Sequence, residues 1–345
     1  MDTPWDCIVI GGGAAGLSAA LVLGRARRRT LLLDVGGQSN LAADHIGGLL
    51  GYDQRPAPEL YGRGREELAA YSSVEVRDLA AVAVRALGGD GGFEVDLAEV
   101  GGPGAPSQVA DGDAVGVGGG GGGDGVTTEV ATRLVLAMGA DYQPPAVPGL
   151  AERFGASVFH CPFCHGWEHR GEALGVLDPG PVGADRALML TAWSDDVTLF
   201  TGGGIGEPAA RGLSTEDRAR LAEAGVAIED RPVVAAEGEG RSLARLRFED
   251  GDARACTGLL VPVTFAQRGT IADDLGVERQ ATGQWAGQAL AVSPMGATNV
   301  PGVSAAGDCA TANPSVVNAI ASGALAAAGV VHALAIPPRA ATAIR

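Results

Sequence analysis

Residues 6–16 read Asp-Cys-Ile-Val-Ile-Gly-Gly-Gly-Ala-Ala-Gly. The first five are a short apolar run of the kind a buried parallel strand needs, and LSAALVLGRA behind them is rich in helix formers. TLLLD at 30–34 is a second apolar run, ending on an acid. Together they make a β-α-β unit of about 30 residues, with Gly11, Gly13 and Gly16 at the turn between strand and helix. The first glycine permits the tight turn, the second lets backbone approach a pyrophosphate, and the third lets helix and strand pack closely. Ala14 and Ala15 open the helix, whose unpaired N–H groups suit a phosphate. Asp34 stands where a carboxylate accepts from a ribose hydroxyl. The unit is therefore a dinucleotide site.

The turn alone does not choose between FAD and NAD. Gly307-Asp308 near the C-terminus does, since an acid after a short strand and before a helix can meet the ribityl chain of FAD. An ordinary helix cap is the plain alternative for Asp308. Gly139 ends another apolar run, VATRLVLAMG at 130–139, and joins the cofactor-binding set.

Further out, residues 35–75 hold loops and a helix around ELYGRGREELAAY, and 74–100 alternate as a small strand meander. His45 lies in the Gly-rich loop ADHIGGLLGYD, which can reach a flavin or a substrate. Residues 101–125 include six consecutive glycines, Gly118 to Gly123, and read as a flexible loop with no site in it. The proline-rich DYQPPAVPG at 141–149 reads as a domain boundary. Residues 173–200 then repeat the β-α-β pattern, and from 258 the chain returns to the style of the first domain. The fold expected is α/β, with two Rossmann-like three-layer nucleotide-binding domains, the second inserted into the first. Residues 1–152 and 258–345 form the FAD domain in two parts, and 153–257 form the inserted domain.

Composition narrows the function. Net charge is −16, and none of the 25 basic residues is Lys, so nucleic acid and anionic membrane are poor partners. The N-terminus, MDTPWDCIVIGGG, carries no basic leader, and no stretch of 18 or more apolar residues reads as a membrane span, so a cytoplasmic location is expected. Five cysteines are too few for a disulfide scaffold, so Cys161-Pro162-Phe163-Cys164 needs a chemical explanation. Two cysteines three apart can close a small disulfide, and an adjacent imidazole such as His165 can raise the thiolate fraction. The histidines around them, His160, His165 and His169, also suggest a zinc site, but no second spaced cysteine pair exists to complete one, and redox chemistry is preferred with no metal.

IGGGAAGLSAA, LVLAMGA, CPFC and NVPGVSAAGD, read together, resemble the low-molecular-weight thioredoxin reductase family over nearly the whole chain. The resemblance implies bound FAD, a nucleotide domain inserted in the FAD domain, and a homodimer. CPFCHGWE departs from the reductase pattern, which has Asp after the second cysteine, and is similar to the natural-product dithiol oxidases of the gliotoxin and holomycin type. That likeness implies that Cys161 exchanges with substrate, Cys164 faces the flavin, and His165 replaces the reductase acid. It further implies a small-molecule dithiol as substrate, O2 as electron acceptor and H2O2 as product, in antibiotic biosynthesis.

The second nucleotide turn supports the same expectation. Asp178-Pro179-Gly180-Pro181-Val182-Gly183 puts a carboxylate at the first glycine position, and its prolines remove N–H donors. Thr201-Gly202-Gly203 stands where the resembled reductases carry His-Arg-Arg for a 2′-phosphate. Charge-assisted contacts are worth roughly 1.5–3 kcal/mol each. Losing two predicts that the inserted domain does not use NADPH. The alternatives are an NADPH-dependent thioredoxin or disulfide reductase, and a reductase fed by another electron-donor protein.

Overall fold

The computed structural model describes residues 3–88, 91–99, 126–202, 212–282 and 287–336. The Gly-rich loop expected at 101–125, and Gly203, lie outside them. The first unit forms as read: β1 (Trp5–Ile10), α1 (Ala14–Arg25) and β2 (Thr30–Leu33). It continues through α2 (Ala57–Leu68), β3 (Val74–Arg77), β4 (Ala80–Ala86), β5 (Phe93–Ala98), β6 (Thr127–Leu136) and β7 (Ala140–Gln143). The inserted part holds β8 (Val158–Phe159), α3 (Pro162–His165), β9 (Leu174–Leu177), α4 (Pro181–Leu190), β10 (Val197–Phe200) and α5 (Thr215–Glu223). It closes with β11 (Ala227–Glu229), β12 (Val233–Glu237), β13 (Arg245–Phe248), β14 (Ala253–Ala255) and β15 (Gly258–Leu260). The chain ends in β16 (Thr264–Gln267), α6 (Ile271–Asp274), β17 (Arg279–Ala281), β18 (Gln288–Leu290), β19 (Val303–Ala305) and α7 (Val316–Ala335).

Two sheets carry the architecture. The first runs β3-β2-β1-β6-β5-β4, with β19 also pairing β6. The long β6 serves both halves: Ala131–Leu136 lies parallel to β1, and Thr127–Ala131 lies antiparallel to β5. Side chains alternate across the sheet. Cys7 and Val9 face α1, α2 and α7, while Ile8 and Ile10 face the β4–β5 meander and Ile271. Burial on both faces explains why these strands read as unbroken apolar runs.

The second sheet runs β11-β10-β9-β15-β8, all parallel, with α4 and α5 packed against it. The antiparallel β12-β13-β14 sheet covers its other face through Phe200, Phe248 and Leu246. β19 rejoins the first sheet after this excursion, so the second Rossmann-like domain is inserted into the first. The return was expected at 258, at the start of β15; β15 still pairs within the second sheet, and β16 pairs with β7 of the first part.

The sequence reading found no apolar stretch long enough for a membrane span, yet α7 meets that length and composition, with mean hydropathy 1.6 over an 18-residue window of its 20 residues. Its small-residue face is spent on α1. Ser18 Oγ donates to the Ile320 carbonyl at 2.7 Å, and a Cβ on Gly323 would lie 2.1 Å from the Ala15 carbonyl oxygen. Gly323→Val should therefore force the helices apart. We expect a loss of about 1–3 kcal/mol, read as a lower urea midpoint with an unchanged slope.

Candidate active site

The first dinucleotide turn is built by close approach. Gly11 has φ 108°, and a Cβ there would meet the Ala137 carbonyl oxygen at 2.3 Å. A Cβ on Gly16 would come within 1.7 Å of the Gly11 carbonyl oxygen. Gly13 is the N-cap of α1 and brings no side chain to it, so the helix N–H groups that start at Ala14 and Ala15 face outward for a ligand. Gly12 backs directly onto the Asp34 side chain. Asp34 is buried, accepts from Gly36 N–H at 2.9 Å and Gln38 Nε2 at 3.3 Å, and pairs with Arg65. Arg65 carried no sequence signal, since it comes from α2.

Gly307, at φ 79°, turns the chain from β19 into the short 3-10 turn Asp308–Ala310. Gly139, at φ 73°, ends the strand region beside it. Asp308 accepts from Tyr142 Oη at 2.6 Å, and burial pushes its pKa up against the pull of Tyr142 and Arg268. Tyr142 is a second residue that the sequence reading missed. Asp34 and Asp308 thus flank the glycine turn, one at the end of β2 and one beyond β19.

These residues fit FAD. Bare backbone stands where a pyrophosphate must come close, and a set-in carboxylate stands on either side. Cys309 lies within the Asp308–Ala310 turn, buried and bonded to the Leu136 and Ala306 carbonyls, and burial pushes its thiol up to about 12. Cys256 is likewise pushed up to about 12, and Cys7 is fully buried, so none of the three supplies a thiolate near neutral pH.

Cys161 and Cys164 form a disulfide with Cα atoms 5.3 Å apart. Cys161 is the N-cap of α3 and Cys164 sits in its single turn, with Pro162 as the first helical residue. Among the described residues no group of three or more His, Cys, Asp or Glu could hold a metal ion. His165 stacks on Phe159 at 5.5 Å, and its buried Nδ1 has no hydrogen-bond partner. Burial pushes its pKa down, the charge of Glu168 draws it back up, and His45 opposes that. His45 reaches this centre from the loop after β2, with Nε2 at 3.0 Å from Glu168 Oε1. Glu168 also accepts from Gln54 Nε2 at 2.6 Å. The sequence reading named His45 and His165 but neither Glu168 nor Gln54.

His160 lies between Tyr142 (4.7 Å) and Phe154 (5.9 Å), and burial pushes its pKa down to about 3, with His165 and Arg186 adding to the effect. In the second nucleotide turn, Asp178 folds back. Its carboxylate accepts from Gly180 N–H at 3.1 Å and from Arg186 Nη1 at 2.7 Å. A Cβ on Gly183 would meet the Asp178 carbonyl oxygen at 2.3 Å, so the third glycine keeps its packing role.

A fold of two dinucleotide domains around a disulfide-bonded CxxC turn defines a flavin-dependent thiol–disulfide oxidoreductase. The model of the family described as pyridine nucleotide-disulphide oxidoreductase matches residues 5–323, and the chain belongs to that family. It uses FAD and is thioredoxin-reductase-like. The thioredoxin reductase tcpT of Claviceps purpurea is 31% identical over 92% of this chain and 90% of its own. A probable thioredoxin reductase of Arthroderma benhamiae is 32% identical over 58% of this chain, which spans less than half (44%) of that relative. The solved structure of an oxidoreductase from Agrobacterium tumefaciens superposes with TM-score 0.82 at 31% identity, covering 97% of this chain and 100% of that one.

These relatives correct the finer expectation. The Claviceps and Arthroderma relatives are named thioredoxin reductases and not dithiol oxidases, so the placement among the gliotoxin- and holomycin-type oxidases does not hold. The small-molecule dithiol, O2, H2O2 and antibiotic biosynthesis fall with it. The physical reason is that His165 in place of an acid does not fix a direction. Thiol–disulfide exchange is reversible, and a neutral imidazole can take or give the proton either way.

His160 should leave a signature in acid. Folded His160 stays neutral down to about pH 3, whereas the unfolded chain takes up its proton near 6.5. Its contribution is therefore intact above about 6.5 and is lost as pH falls toward 3, by up to about 1.4 kcal/mol per pH unit. His160→Phe, which keeps the ring stack, should flatten the fall of the thermal midpoint between about pH 6.5 and 4, measured by calorimetry.

Proposed function

We propose that this chain reduces a protein disulfide of the thioredoxin type, using electrons from a reduced pyridine nucleotide and the Cys161–Cys164 pair. The observation that carries this reading is the apolar rim of the redox turn. Phe163, between the two cysteines, is 72% exposed, and Trp167 just after them is 60% exposed. Large apolar side chains held in water beside a reactive disulfide suit another protein's surface. The names of the relatives that run nearly the full length of the chain support the same partner class.

FAD supplies two-electron exchange between the nucleotide and the cysteine pair. The chain does the rest. Two electrons and two protons open the Cys161–Cys164 disulfide to a dithiol. Cys161, at the N-cap, attacks a sulfur of the partner's disulfide and gives a mixed disulfide and one free partner thiol. Cys164 then attacks Cys161, which re-forms the internal disulfide and releases the partner as a dithiol. Cys164 is the better candidate for the flavin side, because a Cβ on Gly47 of the FAD-domain loop would lie 2.4 Å from its carbonyl oxygen. His165, kept neutral by burial, accepts and returns the proton.

The nucleotide site is read as poor for NADPH in particular. Arg186 offsets the charge of Asp178, which removes most of the repulsion against a pyrophosphate, but Asp178 still occupies the Gly180 N–H. At the end of β10, the Thr201 hydroxyl is bonded to Asp230. Among the described residues, the nearby cations are already matched by acids: Arg218 by Asp230, and Arg231 by Glu229, Asp250 and Asp252. A 2′-phosphate therefore gains little there, and NADH should serve at least as well as NADPH. We assign the activity to the cytoplasm, where thiols are kept reduced.

The test is anaerobic oxidation of NADH and of NADPH in the presence of an oxidised thioredoxin. NADH turnover equal to or above that with NADPH is expected; activity with neither nucleotide would overturn the reading. Cys161→Ser and Cys164→Ser should each lower thioredoxin reduction by at least about 10³-fold, in keeping with loss of a covalent nucleophile, while FAD absorbance is retained. Normal turnover by either variant would remove that cysteine from the scheme.

A further inference from the structure

The loop after β2 holds the redox turn through one carboxylate. Its ends are tied to each other, Ile46 N–H donating to the Arg55 carbonyl at 2.8 Å and Gln54 N–H to the Ile46 carbonyl at 2.9 Å. Its glycines lie against the cysteine turn: Gly47 meets the backbone of Cys164, and a Cβ on Gly48 would be 3.9 Å from the Phe163 carbonyl oxygen. Gln54 has φ 63°, a left-handed backbone that costs a residue with a side chain on the order of 1 kcal/mol. At that position its Nε2 lies 2.6 Å from Glu168 Oε1, and His45 Nε2 reaches the same oxygen at 3.0 Å. The other oxygen, Oε2, is buried and has no hydrogen-bond partner.

Glu168 belongs to the segment of the cysteines, four residues beyond Cys164, while His45 and Gln54 belong to the FAD domain. The contact therefore bridges the two parts of the molecule that must be held together for electrons to pass between flavin and disulfide. Two further bonds tie the same stretch to the inserted domain, Arg241 to Asp44 at 2.6 Å and Arg241 to the Ala42 carbonyl, and both are exposed. The Glu168 contact lies beside His165, whose charge state it also biases.

We propose that Glu168 is a positioning residue: its carboxylate, bonded by Gln54 and with His45 Nε2 3.0 Å away, locks the Cys161–Cys164 turn against the FAD-domain loop and keeps His165 beside the pair. The proposal rests on the redox reading of the cysteines, but not on which nucleotide or protein partner is used. Releasing the clamp frees the turn, so the cysteines gain access to reagents in solution without any change at the glycine turn that holds the cofactor.

The experiment uses the FAD-loaded protein, reduced with dithiothreitol, freed of it anaerobically and treated with a maleimide, with labelling at Cys161 and Cys164 followed by mass spectrometry. Glu168→Ala should speed labelling of the pair about tenfold. Glu168→Gln, which keeps the one oxygen that Gln54 and His45 both approach, should stay within about threefold of the parent. A purely structural loss would not be rescued in this way. Gln54→Ala provides a second approach from the other side of the contact and should move labelling in the same direction as Glu168→Ala, which keeps the test decisive if the Glu168 variant does not fold. Parent-like labelling in both alanine variants, or equal acceleration in Glu168→Gln and Glu168→Ala, would overturn the proposal. Neither nucleotide nor thioredoxin enters this measurement, so failure of the reductase reading shows in turnover alone and failure of the clamp shows in labelling alone.

Discussion

A Cβ on Gly16 would stand 1.7 Å from the Gly11 carbonyl oxygen, and one on Gly323 would stand 2.1 Å from that of Ala15. No side chain fits at either place, and α1 is held between β1 on one side and α7 on the other because of it. The same crowding strips the turn at Gly11–Gly16 of side chains and leaves the helix N–H groups open for a pyrophosphate. It also fixes where Asp308 arrives, since Gly307 crosses against Ala15, with a would-be Cβ 2.8 Å from the Ala15 methyl. Steric contact at a few small residues thus sets a cradle whose shape fits the cofactor, and the apolar faces of β1, β2 and β6 supply the cohesion that keeps it in place.

The redox turn is governed by a different balance. Phe159 and Phe154 place flat apolar surface under His165 and His160, and the cost of desolvating a charge keeps both imidazoles toward their neutral forms. Glu168 works against this at His165 alone. Burial favours its neutral form, but the bond from Gln54 and the nearness of His45 outweigh burial and hold its pKa below the usual carboxylate range. A neutral imidazole with an anion nearby can accept a proton and return it, which is what exchange between thiols and disulfides requires.

The second nucleotide turn shows how a single unusual residue can mislead when its partner lies elsewhere. Asp178 read alone is a negative charge aimed at a phosphate. In the fold, Arg186, about a turn and a half along α4, neutralises it at 2.7 Å. What remains unusual is geometric, a carboxylate holding the Gly180 N–H. Similarly, one histidine after the second cysteine cannot decide between oxidase and reductase, because the exchange it assists runs in either direction.

The sequence by itself determined the elements whose signal is local. A strand, a glycine turn and a helix must follow each other within about 30 residues, so β1-α1-β2 could be read from GxGxxG and Asp34, and β9-α4-β10 from the weaker repeat. The CxxC spacing likewise carried the Cys161–Cys164 disulfide. Tertiary structure alone decided the partners. Arg65 reaches Asp34 from α2, Tyr142 reaches Asp308 across 166 residues, and Gln54 and His45 reach Glu168 across more than a hundred. Such contacts leave no periodicity or spacing in the chain, because they are fixed by which faces of separate elements the packing brings together.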